Sequence, residues 1–296
     1  VPIPSFLRSL LPQAKRSSPA ANHHSPLPEL ILSAGKLATA LEAGRHGGRK
    51  AGHGEDFWQY RPHMPLEPAT LVDWKQSARS PNPETLWVRE RERQSARQLL
   101  LWADRSPSME WRSTDTLSTK RDAAITALLT LGQAALKAGE RVGVLGGPRC
   151  YSGPQHLPRL AHDLIEAPPN PTLHHASPQA SLIMASDFLW PEHELDALLT
   201  ATQKRLGITA LFGVFDPQER DFSAYTGHVR FKSDEEPNTL TLPAVSSLRE
   251  TYQQHLKNHL ARLSHGGRST SFIPYRTDQP MGASLMRLHH VLGEKR

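Results

Sequence analysis

The chain has 296 residues, 35 Lys+Arg against 29 Asp+Glu for a formal net charge of +6, and one cysteine. That length supports one or two domains with a core large enough to need no covalent staples, and the lone Cys150 excludes an intrachain disulfide and the Cys-rich zinc classes. No run approaches the ~18 consecutive apolar residues of a membrane span, and Phe6 to Leu11, broken by Arg8 and Ser9, is too short for a secretion signal; a cytoplasmic location is expected.

Residues 1–28 carry Pro2, Pro4, Pro12, Pro19, Pro26 and Pro28 among Ser, Ala and His, a composition that resists regular structure and reads as a mobile arm. Leu30, Ile31, Leu37, Ala38 and Leu41 then recur at helical spacing up to Gly44. The basic glycine-rich run from Gly44 to Gly54 lacks the Gly-Lys-Ser/Thr ending of a phosphate-binding loop, so as a nucleotide site it is weak.

From about residue 97 the pattern alternates. Leu99 to Ala103 reads as a buried strand. Residues 119–138 place Ala123, Ala127, Leu128, Leu131, Ala135 and Ala138 on one helical face that Gly139 stops. Val142 to Leu145 is a strand, His156 to Ile165 a helix, and Ser181 to Ala185 a strand. Glu192 to Leu206 reads as a helix, Ile208 to Phe215 as a strand, and Leu248 to Leu263 and Ala283 to Leu292 as closing helices. Apolar strands alternating with helices predict an α/β fold, a doubly wound and mainly parallel sheet covered on both faces.

In such a sheet, sites form beyond the carboxyl ends of strands. Asp104-Arg105-Ser106-Pro107-Ser108 follows the first strand, Ser186-Asp187 the third and Asp216-Pro217 the fourth. A carboxylate and two hydroxyls in Asp-x-Ser-x-Ser, with Asp187 as a second carboxylate, form a hard-oxygen set suited to Mg²⁺, with Mn²⁺ or Ca²⁺ as substitutes. The alternative is that Asp104 and Ser106 only cap the turn that follows.

This constellation resembles the metal-ion-dependent adhesion site of von Willebrand factor A-like domains. Upstream, Gly54-Glu55-Asp56-Phe57-Trp58-Gln59-Tyr60-Arg61-Pro62, Asp73-Trp74-Lys75-Gln76-Ser77-Ala78-Arg79 and Val88-Arg89-Glu90 resemble the signature of a bacterial family, domain of unknown function fifty-eight. Asp216-Pro217-Gln218-Glu219, Gly227 and Thr277-Asp278-Gln279-Pro280 fit it as well, and the Asp-Trp-Lys-x-x-Ala-Arg core is the most specific part.

The resemblance implies a von Willebrand A-like domain that serves, without enzymatic activity, as adaptor or chaperone partner of a MoxR-type AAA+ ATPase. It implies that the metal site, if complete, holds Mg²⁺ through the hydroxyls of Ser106 and Ser108, with Asp104 and Asp187 binding coordinated waters. Asp73, Trp74, Lys75, Arg79 and Arg89 are then signature or partner-contact residues. Two departures stand out: His63-Met64-Pro65-Leu66-Glu67 replaces the family's acidic turn, and the adhesion pattern's threonine has only Ser152 or Thr172 to match it.

The expected organisation is a proline-rich arm and short helix over 1–43, an irregular or β-rich signature segment over 44–95, the α/β domain over 96–245 and a helical segment over 246–296. Two rival functions remain: a metal-dependent hydrolase that pairs the same carboxylates with a histidine base, and a basic nucleic-acid binder. Against the first, His255 and His259 lack the metalloprotease glutamate between them and read as polar-face residues. Against the second, Glu90 and Glu92 alternate with Arg89, Arg91 and Arg93.

Overall fold

The computed structural model describes residues 25–44, 57–65, 67–82, 85–91, 97–220, 229–232, 239–242, 246–265, 267 and 269–293. The expected arm up to residue 24, most of the glycine-rich run and Gly227 lie outside these. The chain divides into two compact units, Val1–Gly44 with Arg97–Arg296, and Arg45–Ala96.

The larger unit is built on a six-stranded sheet. Helix α1 spans Leu27–Gly44. In the smaller unit lie strand β1 (Phe57–Pro62), the short helix α2 (Trp74–Ser77) and strand β2 (Trp87–Arg91). The larger unit resumes with β3 (Gln98–Ala103), α3 (Lys120–Lys137), β4 (Arg141–Val144), β5 (Cys150–Tyr151) and α4 (Leu157–Glu166). Then follow β6 (Ser181–Ser186), α5 (Glu192–Gln203), β7 (Thr209–Phe215), the single-turn α6 (Pro217–Arg220) and a hairpin of β8 (Val229–Lys232) with β9 (Thr239–Leu242). Helix α7 (Ser246–Ser264), β10 (Thr270–Arg276) and α8 (Gly282–Gly293) complete it.

The sheet order is β10-β7-β6-β3-β4-β5, parallel except for the two-residue edge β5. The first strand of the sheet is therefore central, and the chain winds from it first to one side and then to the other. This is the doubly wound, mainly parallel α/β architecture expected from the sequence. Side chains alternate across the strands. Leu99, Leu101 and Ala103 join one core with α1, α3, α4 and α8, while Leu100 and Trp102 join the other with α5 and α7.

Helix α3 is buried almost without interruption from Ala123 to Gly132, although its sequence suggests a single apolar face. Helix α1 lies across its outer side through Leu30, Ala34 and Leu41. Burying each of those two leucines contributes about 1.5–3 kcal/mol. The 246–296 segment, expected to be helical, holds α7 and α8 but also β10, the edge strand of the central sheet. Pro274 masks β10 in the sequence; it is tolerated because, among the described residues, only β7 pairs with this strand. The hairpin β8–β9 was also not expected.

In the smaller unit, β1 and β2 pair antiparallel, with Tyr60 opposite Arg89, and Val72 bridges to Val88. Among the described residues no helix is long and apolar enough to cross a membrane.

Candidate functional site

Strands β3 and β6 are neighbours whose onward connections run in opposite directions, so their carboxyl ends form the topological switch point of the sheet. Asp104 immediately follows β3, Asp187 follows β6 and Asp216 follows β7, and all three are buried. The structure thus brings together Asp104, Ser106, Ser108 and Asp187, and links them by hydrogen bonds.

Asp104 Oδ1 accepts the Ser106 N–H at 2.8 Å, while its Oδ2 accepts Ser186 Oγ at 2.6 Å and the Trp190 indole N–H at 3.0 Å. Ser108 Oγ donates to Asp187 Oδ2 at 2.8 Å. A hydroxyl has one proton, so in the 3.0 Å contact between the two serines Ser106 Oγ is the donor. Asp187 Oδ1 accepts the Leu189 N–H at 3.1 Å. Between them Phe188 adopts a positive φ of 52°, held by its N–H to Ser186 Oγ at 2.8 Å.

The sequence reading missed Lys120. It opens α3, capped by Thr119 Oγ1, yet its side chain is fully buried and reaches Asp187 Oδ2 at 2.8 Å and Glu219 Oε1. Glu219 is fixed in turn: its Oε2 accepts the Asp216 N–H at 2.9 Å and its carbonyl accepts the Tyr252 hydroxyl at 2.7 Å. Asp216 accepts the Ser113 and Gln218 N–H groups, tying the loop that leads into α3 to the end of β7. One signal was available: a lysine at the first position of a helix that turns apolar from Ala123 on, where the helix dipole disfavours a cation.

The charges shift accordingly. Burial alone would push the Lys120 ammonium down, but Asp187 and Glu219 outweigh it and the net shift is upward. Burial also acts to raise Asp187, and the adjacent ammonium overrides it and lowers the group. Glu219 is pushed up to about 7 by burial and by the charge of Asp187, against the pull of Lys120.

The donor set does not suit Mg²⁺. Asp104 and Asp187 each accept three hydrogen bonds already, out of about four lone-pair directions per carboxylate. A divalent ion within about 5 Å of the Lys120 ammonium would also meet a repulsion on the order of 7 kcal/mol at an effective dielectric of about 20. Neither Ser152 nor Thr172 is hydrogen-bonded to the four residues, and both side chains are exposed. His259 is a further correction. It is buried rather than on the polar face of α7, with Nε2 at 2.7 Å from the Phe188 carbonyl oxygen, and burial lowers its pKa.

In the smaller unit the signature residues separate into two roles. Asp73 caps α2, its Oδ1 accepting the Gln76 N–H at 3.0 Å, and its main-chain N–H donates to the Trp87 carbonyl at 2.8 Å. Ser77 Oγ accepts the Trp87 N–H and donates to the Asp73 carbonyl, both at 2.8 Å. Trp74, Lys75 and Arg79 are exposed, Trp74 by 62 %, so the tryptophan does not pin the segment by burial. Arg89 sits on β2, and its side chain lies outside the described residues. In the stretch that replaces the family's acidic turn, Glu67 takes a two-pronged ion pair from Arg61, at 2.8 and 2.5 Å. That pairing holds the Glu67 carboxyl down at about 2.

Comparison with known proteins agrees with the signature. No curated protein and no solved structure matches the chain. The family model described as "Protein of unknown function DUF58" matches residues 59–262, which takes in the Tyr60 to Arg79 signature, the switch-point cluster and most of α7. Since that match spans more than half of the sequence, the chain belongs to the DUF58 family.

Proposed function

We propose that this chain is a non-enzymatic protein-interaction adaptor of von Willebrand factor A-like architecture that works with a MoxR-type AAA+ ATPase in the cytoplasm. The observation that carries the reading is the exposed side of α2. Asp73 and Ser77 fix the backbone of that turn, while Trp74, Lys75 and Arg79 face solvent. A single turn so firmly anchored, yet with a bare tryptophan, suits contact with a partner, because Trp and Arg dominate the binding energy of protein interfaces.

Two further points support it. An Asp-x-Ser-x-Ser turn after the first strand of the six-stranded sheet, with an aspartate after a later strand, fits the von Willebrand A resemblance. The carboxylates of that edge are buried and committed to internal donors, which favours a structural role for them over turnover.

The test uses the purified full chain with a purified MoxR-type AAA+ ATPase. Saturable binding and a changed rate of ATP hydrolysis are expected. Trp74→Ala should weaken binding by about thirtyfold, the effect of losing an anchor worth roughly 2 kcal/mol, with the fold unchanged by circular dichroism. Absence of both binding and any change in ATP turnover would end the proposal.

A further inference from the structure

Lys120 is not part of the α2 surface on which the adaptor reading rests, and its position is costly. An ammonium in the first turn of a helix opposes the helix dipole, and full burial removes its hydration. Only strong compensation retains a lysine there. It comes from two carboxylates at the ends of two neighbouring strands: Asp187 after β6 and Glu219 in the turn after β7.

The placement has a second aspect. Asp187 Oδ2 accepts both the Lys120 ammonium and the Ser108 hydroxyl, which in turn accepts from Ser106. The ammonium therefore shares with the serine chain the carboxylate oxygen from which the sequence pattern would build a divalent-cation site. A positive charge is present at this edge, and it belongs to the chain.

We infer that Lys120 is the resident cation of the switch point: its ammonium stands where a divalent metal would otherwise be recruited, so the Asp104, Ser106, Ser108 and Asp187 constellation is assembled and kept without Mg²⁺. Three element ends, those of α3, β6 and β7, converge on one nitrogen. The loop from Asp104 to Thr119 is closed over them by the Asp216 carboxylate holding the Ser113 N–H at 2.8 Å. Removing the ammonium leaves two facing carboxylates with two hydroxyls alongside, which is a cation site.

Calorimetric titration of the full chain with Mn²⁺, and its melting temperature in Mg²⁺, Mn²⁺ or Ca²⁺ against EDTA, test this directly. The unaltered chain should show no saturable binding at millimolar ion and the same melting temperature in every buffer. Lys120→Ser should bind Mn²⁺ at least a hundredfold more tightly than the parent and melt higher in Mn²⁺ than in EDTA. Adding Asp187→Asn should remove that gain. If Lys120→Ser does not fold in either buffer, Lys120→Ser/Glu219→Gln, with one negative charge fewer, carries the comparison. Saturable binding by the unaltered chain that Ser108→Ala abolishes would overturn the inference, as would a lysine-free chain that is equally indifferent to Mn²⁺. Neither readout involves the ATPase, so the inference and the adaptor reading can fail separately.

Discussion

Lys120→Met is the perturbation that probes the switch point most sharply. Methionine nearly matches the aliphatic length of lysine, so it leaves little cavity, and what it removes is the charge between Asp187 and Glu219. Both carboxylates are at most 2 % exposed. With the ammonium gone, Asp187 keeps the Ser108 hydroxyl and the Leu189 N–H as donors, and burial then drives its carboxyl upward unopposed by a cation. Stranding one member of a buried pair costs about 3–5 kcal/mol, a large share of the roughly 5–15 kcal/mol of a typical domain. Lys120→Met/Asp187→Asn removes the stranded charge as well, and the remaining cost should fall to about 1–2 kcal/mol, that of lost hydrogen bonds. Urea unfolding at pH 7, followed by tryptophan fluorescence, reads both values, and Trp190, bonded to Asp104, is a local reporter. A single variant costing less than about 1 kcal/mol, or a double variant no more stable than the single, would refute a charge-based role for this lysine.

Three further outcomes are expected. Glu219 titrates near 7 in the folded chain against 4.5 for the free group, so the folded state holds the extra proton between these values and stability falls as pH rises through that window, by roughly 3 kcal/mol from this group. Glu219→Gln should flatten that slope relative to the parent in urea midpoints taken from pH 4.5 to 8; parallel profiles for the two chains would contradict the raised value. Gly207→Ala would bring a Cβ to 2.1 Å from the Ala180 carbonyl oxygen, a backbone atom at the entry to β6. It should cost about 1–3 kcal/mol or more, and an unchanged melting temperature would show the clash to be absent. Asp73→Ala removes the cap of α2 and should loosen that turn by about 1 kcal/mol, read as faster amide exchange at Gln76; unaltered exchange there would speak against the cap.

Much of the fold was legible because its strands are short, wholly apolar runs bounded by polar turns. Leu99 to Ala103, Val142 to Leu145, Ser181 to Ala185 and Ile208 to Phe215 all correspond to strands of the central sheet, within a residue or so at their ends. Strand β10 was not legible, because Thr270-Ser271-Phe272-Ile273-Pro274-Tyr275-Arg276 contains a proline and alternates weakly, and only an edge position makes such a segment a strand. The near-total burial of α3 was also hidden. Its outer face is covered by α1, a helix from the far end of the sequence, and no local period records that contact.

At the site, the strand-end position of Asp104, Ser106, Ser108 and Asp187 followed from apolar runs that stop abruptly, and this much the sequence determined by itself. What those groups are bonded to is a different kind of fact. Lys120 and Glu219 stand 99 positions apart, and neither lies in a motif that marks it as a partner of the other. Only the winding of the chain, which brings the start of α3 and the ends of β6 and β7 to one edge, makes them neighbours. Burial then decides the chemistry: in water these side chains would each be solvated separately, whereas inside the fold an unpaired charge is too costly to persist, so the ammonium and the carboxylates must satisfy one another.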